Sequence, residues 1–206
     1  MITLAVIWIA WCTMHSLLIS QSAHKLGERI LGSNLHLYRL LYVGFSVFTL
    51  VPVLWYQFTL PENILVGSSW IWRTAQAVLL FYAGFMFYAG ARVYDMGYFL
   101  GLSQWQNFRK QMESENLPFH SDGILSYVRH PWYSGGIALL WGIGSCTEIY
   151  LLSRTILTAY ILLGTVLEET RLKRELGEQY IAYCRRVPML IPWKIKPGTE
   201  GQGNVS

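Results

Sequence analysis

The 206-residue sequence predicts an all-α fold: a polytopic membrane bundle of about five transmembrane helices, with the N-terminus outside and a C-terminal cytoplasmic cap. Three observations carry that expectation. Hydrophobic residues make up 53% of the chain and charged ones only 14%, with nine Trp, far from the averages of soluble domains. Several stretches of about 17 or more residues hold no charge, which at a rise of about 1.5 Å per residue approaches a hydrocarbon core roughly 30 Å thick. The basic residues gather in alternate loops, as they do when they are retained on one side of a bilayer.

Taken in order, the first span runs from Ile2 to Ile19. A secretory signal is the competing reading, but Met1 to Ala10 has no basic n-region, and the apolar run holds Trp8 and Trp11 without a small-x-small cleavage site. The second span is Leu40 to Phe58 and the third Ala75 to Ala91, which lacks the polar stripe that a helix of a soluble core shows. The fourth, Tyr133 to Cys146, is short. Thr147 to Ile149 links it so briefly to the fifth, Tyr150 to Leu167, that the two form an antiparallel hairpin, tilted or not fully crossing. Residues 1–196 read as a single membrane domain and the polar, Gly-rich residues 197–206 as a disordered tail.

Lys25, Arg29 and Arg39 lie between spans one and two, and Arg92, Arg109, Lys110 and Arg129 between three and four. Arg171, Lys173, Arg174, Arg185, Arg186, Lys194 and Lys196 follow span five, so only Arg73 and Arg154 fall on the other side. The lopsided distribution puts the loops with the basic residues in the cytoplasm. It also accounts for the net charge of +4 through the anionic inner leaflet, a membrane-lipid partner, with no nucleic acid. Cys12, Cys146 and Cys184 are too widely spaced for a metal motif and odd in number, so they read as packing residues. His24, His36 and His120 come without a ligand pattern, and no metal is expected.

The chemistry concentrates between Gly123 and Trp193. Pro131 suits the first turn of a helix, which places Arg129 and His130 at its N-terminus, where the dipole favours a carboxylate or phosphate. Span five runs back and ends at Glu168-Glu169, so the hairpin returns two acidic residues to the depth of Arg129 and His130. The bland alternative makes Arg129 a snorkelling interface residue and pairs Glu169 with Lys173 at i,i+4. Gly135, Gly136, Gly142 and Gly144 allow close helix approach. Downstream, Gly177 can break the helix, Tyr180 and Tyr183 share a face, and Pro188 and Pro192 force an extended exit.

Arg129-His130-Pro131-x-Tyr133-x-Gly135, then Glu168-Glu169-x-x-Leu172, Gly177-x-x-Tyr180-x-x-Tyr183 and Val187-Pro188-x-x-Ile191-Pro192, together resemble the isoprenylcysteine carboxyl methyltransferase and phospholipid methyltransferase superfamily. Thr158 to Leu162, the acidic pair and Val187 to Pro192 are most similar to its methanethiol S-methyltransferase branch, and His15-Ser16 and Asp95-Met96-Gly97 resemble that branch more faintly. The resemblance implies S-adenosylmethionine as methyl donor, bound at the cytoplasmic end of the hairpin, and a small lipophilic or thiol acceptor. A bacterial or archaeal inner membrane follows as the location. Arg129, His130 and Glu169 are then the candidate catalytic residues, and Arg129, His130, Pro131, Tyr133, Gly135, Glu168, Glu169, Tyr180 and Tyr183 the candidate cofactor-binding ones.

A zwitterionic methionyl group calls for an anion site, which Arg129 supplies, and a cation site, which either glutamate supplies. Tyr133, Tyr180 and Tyr183 would shield the adenine or the sulfonium. His130 serves either as base for a thiol or as a hydrogen-bonding group. His15, ionisable within a span, and Asp95 are candidates for the substrate side. An NADPH-dependent membrane reductase of the sterol reductase type, or a non-enzymatic membrane protein, remains as an alternative. A soluble Rossmann domain is excluded, because Gly142-Ile143-Gly144 neither follows a strand nor completes a glycine fingerprint.

Overall fold

The computed structural model describes residues 1–67, 69–94, 96–97, 102 and 121–193. Seven α-helices account for most of them: α1 (Ile2–Ile19), α2 (Gln21–Leu31), α3 (Tyr38–Thr59), α4 (Trp70–Ala91), α5 (Pro131–Gly142), α6 (Glu148–Leu176) and α7 (Glu178–Arg186). Two short strands, β1 (Ile64–Val66) and β2 (Cys146–Thr147), pair antiparallel, with Ile64 opposite Thr147 and Val66 opposite Cys146. The class is all-α and polytopic, as the composition predicts.

Among the described residues, four stretches are long and apolar enough to cross a membrane: Ile2–Ile19, Asn34–Thr59, Trp70–Ala91 and Glu148–Leu176. They contain the first, second, third and fifth expected spans. Large apolar side chains on them, among them Phe48, Trp55, Phe81 and Leu163, point outward, which lipid tolerates and water does not. The fourth expected span differs. Its helix α5 has 12 residues, about 18 Å of rise, short of a hydrocarbon core of roughly 30 Å. Ile143 leaves the helix in an extended conformation, and Gly144 takes φ +73°, so the chain turns toward β2 before a crossing is complete. The predicted tail and Asp95 lie outside the described residues.

The chain divides into two compact units. In the first, made of Met1–Trp72, the described residues of Tyr94–Leu117, and Gly144–Tyr160, α1 runs antiparallel to α3. The Trp8 indole donates to Gln57 Oε1 at 3.0 Å and the Trp11 indole to Thr49 Oγ1 at 3.2 Å. Leu4, Trp8, Val53 and Ile149 form its apolar core. Internal polar pairs of this kind bind helices to one another where lipid supplies little hydrophobic drive.

The second unit contains Arg73–Val93, the described residues of Pro118–Ile143, and those from Ile161 onward. Here α5 packs antiparallel on α4 through its small residues. A Cβ added at Gly135 would lie 3.0 Å from Met86 Cβ and 3.3 Å from the Ala83 carbonyl, and one at Gly142 would lie 3.0 Å from Leu80. Tyr82 and Ser134 share a hydrogen bond of 2.7 Å across the same face. Gly135 and Gly142 thus serve the close approach expected of them, whereas Gly136 faces open space apart from Ile161, 3.9 Å from its built Cβ. Gly177, at φ +58°, ends α6 and starts α7, because that left-handed backbone is open to glycine and strained for other residues.

Candidate functional site

Pro131 occupies the first position of α5, as its fixed φ and missing N–H favour, and His130 is the N-cap residue. The residues just before the helix are held by the chain's C-terminal segment. The Arg129 amide donates to the Pro188 carbonyl at 3.0 Å and the His130 amide to the Met189 carbonyl at 3.1 Å. Pro188 has no amide of its own to offer, so the pairing runs one way.

The Arg129 side chain reinforces this attachment. Its guanidinium donates to the carbonyls of Cys184, at 3.0 Å, and Val187, and through Nε and the terminal nitrogen NH2 to Glu169 Oε1, both at 2.6 Å. Arg129 and Glu169 are both buried, with side chains 8% and 7% exposed. The same Glu169 oxygen lies 3.3 Å from His130 Nε2, and its second oxygen lies 3.7 Å from Lys173 Nζ. The i,i+4 pair of the bland reading therefore exists alongside the long-range one. The Arg129 guanidinium thus meets one carboxylate and two carbonyls within the protein.

Glu168 is different. Its side chain is 35% exposed, and its Oε2 is buried with no hydrogen-bond donor among the described residues. That oxygen faces His130 Nδ1 at 3.8 Å. Burial holds the His130 imidazole below the usual histidine range against the opposing pull of Glu168 and Glu169, with Arg129 adding to the downward shift. Much of the Glu169 charge is already answered by Arg129, which is why desolvation prevails. A neutral ring donates from Nε2–H to Glu169 and keeps the Nδ1 lone pair, so Nδ1 and Glu168 Oε2 are two acceptors facing each other. An orphaned buried acceptor is costly unless a ligand donor or a proton meets it.

Tyr133 stacks on His130 with ring centroids 5.5 Å apart and stays partly exposed. Tyr180 and Tyr183 do share a face, but they are buried with Val187 in a small core that Leu172, Leu176 and Cys184 complete. The Tyr183 hydroxyl donates to the Leu125 carbonyl at 2.6 Å. Burial pushes the Tyr180 phenol and the Cys184 thiol upward, with the Glu169 charge adding to both, so both are uncharged at neutral pH. Sequence reasoning overlooked Leu125, Cys184 and Val187 as partners of the site: their contributions are backbone carbonyls, which any residue type could offer.

His15 lies in the first unit. Ser46 Oγ spends its proton on the Tyr42 carbonyl at 2.8 Å, so His15 Nδ1–H donates to Ser46 at 3.1 Å and Nε2 accepts from the Tyr42 hydroxyl. Trp11 stacks on the imidazole at 5.2 Å. Among the described residues, no cluster of three or more His, Cys, Asp or Glu fit to hold a metal ion occurs.

Over much of its length the chain is similar to known methyltransferases. It is 32% identical to the methanethiol S-methyltransferase of Crocosphaera subtropica over 159 residues, which cover 74% of this chain and 60% of that protein. It is 29% identical to methanethiol S-methyltransferase 1 of Bradyrhizobium diazoefficiens over 153 residues, 74% of this chain and 54% of that protein. A methanethiol S-methyltransferase from Mycobacterium tuberculosis is 37% identical over 75 residues, 36% of this chain and 31% of that protein. The chain thus spans little more than half the length of the first two relatives. They bear the name of the branch that the motifs between Gly123 and Trp193 resemble. No family model matches the chain, and no solved structure matches it.

Proposed function

We propose that this chain is an integral membrane methyltransferase that takes its methyl group from S-adenosylmethionine and passes it to a small or lipophilic acceptor, a thiol before a prenylcysteine-type carboxylate. The observation that carries the reading is the buried, unsatisfied Glu168 oxygen facing the His130 ring in the motif region that resembles methyltransferases. The names of the bacterial relatives favour the thiol.

The donor set fits the cofactor on its cationic side. Glu168 is the carboxylate with acceptor capacity to spare, and it would take the ammonium or a ribose hydroxyl, while Glu169 is occupied in orienting Arg129 and His130. Tyr133, partly exposed beside His130, offers a ring face to a cation or an adenine. Bound S-adenosylmethionine would supply a methyl group already activated on a sulfonium, so the protein's task is alignment and exclusion of water.

A thiol acceptor must first lose its proton. His130 Nδ1 takes it, and the imidazolium formed lies between Glu168 and Glu169, whose charges offset it. A carboxylate acceptor needs no such step. Arg129 is a positioning residue here: it ties the carbonyls of Cys184 and Val187 to Glu169 and so seats the C-terminal segment beside the site. The positive-inside distribution of Lys and Arg supports a site facing the cytoplasm, and the bacterial relatives support an inner membrane.

Ligand stabilisation tests the reading against its NADPH-dependent rival. S-adenosylmethionine at about 100 times its Kd should stabilise the purified protein by roughly 2.7 kcal/mol, seen as a rise in Tm. NADPH should leave Tm unchanged. A rise with NADPH and none with S-adenosylmethionine or its demethylated product would overturn the proposal. Glu168→Gln should abolish the rise while leaving the Tm without ligand near that of the wild type, because its buried oxygen has no donor to lose.

A further inference from the structure

We propose that α2 is an in-plane interfacial helix that rests on the bilayer surface, burying Leu26 and Ile30 among the lipids and holding anionic headgroups with Lys25 and Arg29. The inference stands apart from the methyltransferase reading, since every residue in it belongs to the first unit.

Depth comes from the neighbours. α1 ends at Ile19, Ser20 alone separates it from Gln21, and the Tyr38 hydroxyl at the start of α3 donates to the Leu18 carbonyl at 2.6 Å. The ends of two membrane-crossing helices therefore meet, and α2 bridges them at the membrane boundary. Ser20 turns the chain: its backbone is extended, with φ −67° and ψ 154°, and its Oγ caps α2 by accepting from the Ala23 amide at 3.3 Å.

Roll is set by Gly27. A Cβ there would lie 2.7 Å from the Tyr38 ring, so only glycine lets α2 seat against that ring, and His24 meets the same ring edge-on with centroids 5.3 Å apart. With about 100° per residue and Gly27 turned toward the protein, Leu26 and Ile30 fall together on one flank and His24 and Glu28 on the opposite one. Leu26 and Ile30 are 55% and 72% exposed, which suits lipid rather than water. His24 and Glu28, 3.3 Å apart and half exposed, make the water-facing flank. Lys25 and Arg29 project away from the protein between these flanks, and among the described residues neither has an acidic partner. Two unpaired cations at headgroup depth beside an apolar pair are complementary to an anionic lipid surface.

The test uses the full chain reconstituted in vesicles of equal parts phosphatidylglycerol and phosphatidylcholine. Cysteines are introduced singly in place of Leu26, Ile30 and Glu28 and labelled with an environment-sensitive fluorophore, the unsubstituted chain reporting the native thiols. Labels at 26 and 30 should be quenched by brominated acyl chains and shielded from iodide, and the label at 28 should behave in the opposite way. Equal iodide access at all three positions would overturn the interfacial placement. For the headgroups, Lys25→Gln with Arg29→Gln is compared with wild type in vesicles of pure phosphatidylcholine and of the mixture. The rise in Tm that the mixture gives the wild type should be largely lost in the double variant. An undiminished rise would overturn the anionic contact.

Discussion

Glu168 and Glu169 are adjacent in the sequence and differ in almost every physical respect. Glu169 is enclosed and meets Arg129, His130 and Lys173, whereas Glu168 keeps a buried oxygen without a donor. Breaking a buried pair by removing one partner leaves an uncompensated charge, at a cost of about 3–5 kcal/mol. Arg129→Ala should therefore lower Tm and loosen the C-terminal segment, seen as faster exchange of the amides at positions 129 and 130, which donate to the Pro188 and Met189 carbonyls, and of the Val187 amide, besides weakening any ligand. His130 gives a sign that can be checked. Its folded-state pKa is depressed, so the unfolded chain binds the proton more tightly; stability is fully present above about 6.5 and is lost as pH falls from there through the folded value. The fall in Tm between pH 7 and pH 5 should be shallower in His130→Asn than in the wild type. The acidic pair and the Arg-His-Pro run were legible as one cluster because a short hairpin must return them to one depth. Which glutamate faces inward was not, since one residue turns a helix by about 100° and the deciding partner lies 40 positions away.

Elements with a strong local signal were legible in full. Apolar runs announced α1, α3, α4 and most of α6, Pro131 marked the start of α5, and Gly177 the break before α7. What escaped was set by neighbours. α2 is polar on average and amphipathic, so it offers no uninterrupted apolar run, and the strands β1 and β2 are three and two residues long. The α4–α5 contact makes a test at this scale. A leucine at Gly135 must push against Met86 and the Ala83 carbonyl, both within 3.3 Å of its Cβ, and overpacking of this kind costs about 1–3 kcal/mol. Gly135→Leu should lower Tm, while Gly136→Leu, where the space is open, should leave it nearly unchanged; equal losses would contradict the packing described.

For the whole molecule, the distribution of charge links topology to chemistry. The lopsided set of basic loop residues from which the topology is proposed includes Arg129 and Lys173, and both also meet Glu169. The same placement leaves Glu168 and His130 facing each other on the segment that resembles methyltransferases. The most direct test is transfer of a labelled methyl group from S-adenosylmethionine to methanethiol by the purified chain in lipid nanodiscs, wild type beside Glu168→Gln. Labelled dimethyl sulfide from the wild type, with little or none from Glu168→Gln, is the expected result. Absence of transfer from the wild type to methanethiol and to a prenylcysteine carboxylate alike, in protein that is folded by its melting transition, would contradict the proposed function; equal transfer by Glu168→Gln would contradict the proposed site.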